Sequence, residues 1–161
     1  MKLNIKKILV PIDFSDYSKS ALKYAQEFSR YFNAEIILIY VVEPMVYPPD
    51  FSMGQIAIPT IDIELDKRAK EELEKLAKNE IPSDIKFQII IKTGKPFVEI
   101  IQTAKELDID LIIIATHGHS GVEHILFGST AEKVVRKAPC PVLTLREPLK
   151  GFNYKENLNN N

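Results

Sequence analysis

A chain of 161 residues with 45% hydrophobic content can bury one compact core and leaves little room for a second. Its 21 basic and 22 acidic residues give a net charge of −1, which argues against a basic nucleic-acid surface or a polybasic membrane patch. A single cysteine, Cys140, excludes an internal disulfide and suits a reducing compartment.

The N-terminal lysines precede only a short apolar run, which Asp13 cuts well below the length of a signal segment. No later apolar run approaches the roughly 18 residues of a membrane span, so a soluble cytoplasmic protein is expected, with neither nucleic acid nor membrane as partner.

Residues 5–12 are rich in Ile, Leu and Val and read as a first strand that breaks at Pro11, Ile12 and Asp13. Over 15–32, Ala21, Ala25, Phe28 and Phe32 recur three or four apart against Lys19, Lys23, Glu27 and Arg30, the pattern of an amphipathic helix that Asn33 ends. Residues 34–42 form a near-continuous apolar run suited to a strand buried on both faces. Residues 43–59 scatter prolines among aromatics and methionines and read as a long variable loop. A second helix over 62–79 carries Leu65, Ala69, Leu73 and Leu76 on one stripe. Residues 85–92 give a third strand. Pro96 opens a third helix reaching about Leu107, with Ile100, Ile101, Ala104 and Leu107 turned inward.

Residues 110–130 carry the most chemistry. A buried strand, Leu111 to Ala115, stops at a loop holding Gly118 and Gly121, and Gly128, Ser129 and Thr130 then open a fourth helix running to about Lys137. Ser129 with Glu132 three residues on has the form of a capping box. Strand, glycine loop and helix start in that order can make an anion site, because glycines admit close backbone approach and unpaired helical N–H groups carry partial positive charge. The same pattern also occurs as a plain turn and cap. Neither Gly-Lys-Ser/Thr nor G-x-G-x-x-G is present. Residues 142–145 give a short fifth strand, and 147–161 read as a flexible polar tail.

Alternating strands and helices predict a single-domain α/β fold over 1–146, a five-stranded parallel sheet flanked by helices in a Rossmann-like or flavodoxin-like arrangement. With strand order 3-2-1-4-5, the winding reverses between the first and fourth strands, where ligands bind in such sheets. Asp13 would lie there, as an acceptor for ribose hydroxyls or a base amino group, or simply as a turn carboxylate.

KKILVPIDFS at the start, Val41, TGKP before the third helix, ATHGHSG, FGSTAEKV and APCPVLTL together resemble the universal stress protein family over roughly 5–146. The ATP-binding members of that family carry Gly, two residues, Gly, nine residues, Gly and then Ser or Thr. Here nine residues lie between Gly118 and Gly128, Ser129 follows, and Ala115 replaces the first glycine. The resemblance implies that Pro11, Ile12, Asp13 and Val41 line the adenine and ribose, that Ala115 and Gly118 lie by the ribose and α-phosphate, and that Gly128, Ser129 and Thr130 meet the β- and γ-phosphates. His119 would lie near the phosphates. The implied cofactor is ATP with Mg2+ or Mn2+, and the implied assembly a homodimer through the strand at 142–146.

His117, His119 and His124 cluster, but their spacing fits no zinc pattern, and no metal site is expected. Nothing in the sequence pairs a nucleophile with a base, so no catalytic residue is assigned. Three functions follow in order: an ATP-binding stress-response or regulatory switch, a dimeric interaction module with little or no nucleotide, and a slow ATP hydrolase.

Overall fold

The computed structural model describes residues 4–44, 59–116 and 128–146, with 59–64 as backbone alone. Most of the long loop (45–58), the glycine loop (117–127) and the tail (147–161) lie outside the described residues.

The chain alternates β1 (Lys7–Pro11), α1 (Asp16–Phe32), β2 (Glu35–Val42), α2 (Pro59–Glu80), β3 (Phe87–Thr93), α3 (Pro96–Glu106), β4 (Leu111–Ala115), α4 (Ser129–Lys137) and β5 (Val142–Leu145). All strand pairs are parallel, in the order β3-β2-β1-β4-β5, as predicted. Period-two side-chain alternation divides β1 and β4 between two cores. Ile8, Val10, Leu111 and Ile113 face α1 and α2, while Leu9, Ile112 and Ile114 face α3 and α4. Burial on both faces explains why these strands read as continuous apolar runs.

The helix faces are slightly rotated from the expected ones. In α1 the residues most enclosed are Ser18, Ala21, Leu22, Ala25, Gln26 and Ser29, and Phe28 and Phe32 pack only at the margin. Small residues sit at the centre because the helix lies close on the sheet. In α3 the buried set is Ile100, Thr103 and Ala104, with Leu107 at the edge. Helix α2 begins at Pro59, three residues before the predicted start, because a proline at the first helical position has no N–H to waste.

At the end of the sheet away from the strand C-termini, Asp110 Oδ2 accepts from the N–H groups of Lys6 (2.8 Å) and Lys7 (3.0 Å), and Lys7 Nζ donates to the Leu107 carbonyl at 2.7 Å. These bonds fix the register of β1 beside β4. The opposite end of the same two strands is left open for the site. No helix among the described residues is long and apolar enough to cross a membrane.

Candidate functional site

The first wall of the site is the turn after β1. The Ile12 N–H bonds the Ile39 carbonyl at 2.8 Å, which carries the β1–β2 pairing one residue past the strand. The chain then reverses through Phe14, at φ 64°. Ser15 returns its N–H (3.0 Å) and its hydroxyl to Asp13 Oδ1, and the same hydroxyl oxygen caps α1 by accepting from the Ser18 N–H at 3.2 Å. Asp13 is therefore a turn carboxylate.

The second wall joins β4, β5 and α4. Thr116 donates its N–H (2.9 Å) and its hydroxyl (3.2 Å) to the Leu145 carbonyl, and its own carbonyl accepts from the Gly128 N–H at 2.6 Å. Gly128, not Ser129, is the N-cap of α4, with φ −66° and ψ 150°. The capping-box expectation is thus corrected. Ser129 is the first helical residue, no side-chain cap bond forms, and the Glu132 N–H reaches the Gly128 carbonyl at 3.0 Å. Glycine is favoured here by proximity rather than by its torsion angles, since a Cβ would stand 3.2 Å from the Thr116 carbonyl oxygen, a tight contact that the neighbour would have to ease. The arrangement leaves the N–H groups of Ser129, Thr130 and Ala131 without intrahelical acceptors, at the positive end of the helix.

These walls enclose a cavity of about 440 Å³ at the switch point between β1 and β4. Pro11, Ile12, Asp13, Val41, Ala115, Gly128, Ser129 and Thr130, eight of the ten predicted site residues, line it. Gly118 and His119, with His117 and His124, lie outside the described residues. The reading from sequence missed Ser18, Tyr40, Glu43, Pro96, Ile100, Thr116 and Ala131, which also line the cavity. Tyr40 and Thr116 each stand next to a predicted residue, so adjacency was the available signal.

The described lining contains no lysine or arginine and includes the carboxylates of Asp13 and Glu43. Burial, and then Glu72, Asp13 and Glu43, push the Tyr40 phenol above its ordinary range, so it stays neutral. Burial likewise raises the Cys140 thiol, with the charge of Asp110 adding to it, which is the environment of an inert structural cysteine. Among the described residues no group of three or more His, Cys, Asp or Glu could hold a metal ion.

Residues 4–146 match the model of the universal stress protein family. The chain belongs to the universal stress protein family. It is 37% identical over 147 residues to the universal stress protein MJ0531 of Methanocaldococcus jannaschii, covering 90% of this chain and 84% of that one. The universal stress protein MJ0577 of the same organism is 33% identical over 158 residues, 91% of this chain and 98% of its own. The solved structure of MJ0577 superposes with a TM-score of 0.77 at 30% identity, covering 91% of this chain and 99% of that one. A more distant universal stress protein, solved in complex with cAMP, shares the fold at 23% identity and a TM-score of 0.61, over 90% of this chain and 99% of that one.

Proposed function

We propose that this universal stress protein binds ATP, accompanied by Mg2+ or Mn2+, in the cavity between β1 and β4, and that the bound nucleotide acts as a switch in a cytoplasmic stress response. The observation that carries this reading is the placement of eight anticipated residues, drawn from stretches about a hundred residues apart, on one mononucleotide-sized cavity. The apolar side chains of Ile12, Val41 and Ile100 in the lining suit an adenine ring, and Asp13 suits ribose hydroxyls. The α4 N-terminus with the hydroxyls of Ser129 and Thr130 suits the phosphates. A divalent cation fits the reading, because the described walls bring carboxylates and no basic side chain to a polyanion. The cAMP complex of the distant relative supports an adenine nucleotide as the ligand class.

The function proposed is binding rather than turnover. Calorimetric titration of nucleotide-free protein with ATP and MgCl2 tests the reading. One saturable site per chain is expected. Absence of binding by calorimetry and by a second equilibrium method would replace this function with that of a dimeric interaction module.

A further inference from the structure

We propose that Tyr40 is a positioning residue for the nucleotide, acting through its ring contact with Phe14 to hold the turn that presents Asp13 to the cavity. The proposal rests on the nucleotide reading given above and adds to it a residue that acts on Asp13 through Phe14.

Three observations meet at this pair. Phe14 has φ 64°, the left-handed region that a bulky L-residue occupies only when its surroundings demand it. Its ring lies 4.9 Å from that of Tyr40, centroid to centroid, at a tilt of 49°, and both rings pack against the core beneath α1. Phe14 stands between Asp13 and Ser15, whose N–H and hydroxyl both bond Asp13 Oδ1. Those two bonds form only while the backbone reverses at Phe14. The ring pair is therefore what offsets the unfavourable torsion, and the torsion is what sets the Asp13 carboxylate. Tyr40 follows Ile39, whose carbonyl holds the Ile12 N–H, so the anchor and the turn are locked to neighbouring points of two paired strands. Tyr40 itself lines the cavity.

The mechanism predicts that loss of the ring costs affinity through Asp13 and not through general loosening. In the full chain, titrated with ATP and MgCl2, Tyr40→Ala should weaken binding about five- to tenfold, and Tyr40→Phe, which keeps the ring, should restore it. In an Asp13→Ala background the same Tyr40→Ala change should cost less than about twofold, because the group it positions is gone. Phe14→Gly should weaken binding less than Phe14→Ala, since glycine takes φ 64° without strain; a plain packing role would put glycine at or below alanine. If Tyr40→Ala gives no cooperative thermal transition, Tyr40→Leu, which keeps apolar bulk without a ring, takes its place in the cycle. Wild-type protein that binds ATP while the Tyr40 and Phe14 variants bind equally well, or losses at Tyr40 that are undiminished without Asp13, overturn this inference alone. Wild-type protein that binds no ATP overturns the nucleotide reading and this inference with it.

Discussion

Ala115 stands where the spacing Gly, two residues, Gly, nine residues, Gly would have its first glycine. A glycine there would let the protein backbone approach a nucleotide with no methyl group between them. In the fold Ala115 ends β4, is 9% exposed, and belongs with Leu111 and Ile113 to the core facing α1. It also lines the cavity, but its period-two neighbours show that the strand directs this position into packed side chains. Ala115→Gly should therefore act mainly on stability. A lost buried methyl (~0.8 kcal/mol) and the added chain entropy of glycine (~0.5–1 kcal/mol) together predict a loss of about 1.5 kcal/mol, with ATP affinity changed less than about threefold. Denaturant unfolding and calorimetry on the same preparation separate the two quantities; a tenfold gain in affinity would mean that the methyl does obstruct the ligand.

At the scale of the element, the strands and helices were legible because each is buried in a way its period records. Leu111–Ala115 and Val142–Leu145 start and stop where the apolar pattern does. The misread points are ends of elements. The sequence offers Ser129 as a cap three residues before Glu132, and only the extended torsion angles of Gly128, with the 3.0 Å bond from the Glu132 N–H to the Gly128 carbonyl, show that Gly128 is the cap. Similarly, Pro59 reads as loop among prolines until the helix beyond it is seen. The strand order was enough to expect the two walls to meet at the switch point, but the contacts joining Thr116 to Leu145, or Phe14 to Tyr40, span separations that no local pattern encodes. Ser15 shows what one residue at such an end can hold. Its hydroxyl caps α1 and also bonds Asp13, so Ser15→Ala should lower stability by about 1 kcal/mol. It should also weaken ATP binding, whereas an ordinary cap would change unfolding alone. Unchanged affinity in a destabilised Ser15→Ala protein would show that Asp13 is held without Ser15.

At the scale of the whole molecule, the sheet has two edges of different character. On β3, Phe87 is 38% exposed and the charged Lys92 faces Glu106 at 3.5 Å, a rim already blunted by polar groups. On β5, Val142 to Leu145 are all partly buried with β4 on one side alone among the described residues, and Leu143 and Leu145 reach the core. Four such residues present an apolar, unpaired strand that suits pairing with a second copy, antiparallel across a two-fold axis, which would join two five-stranded sheets. The predicted homodimer would place the two cavities on one continuous sheet, each beside the strand next to the interface. Sedimentation equilibrium at micromolar concentration should give twice the 18.3 kDa chain mass. Thr144→Lys, which puts a charge on the edge and belongs to neither apolar cluster, should give a folded monomer. A wild-type protein that sediments as a monomer overturns the assembly. A Thr144→Lys protein that remains a dimer moves the interface to another face, and with it any route by which a nucleotide bound in one chain could be felt by the other.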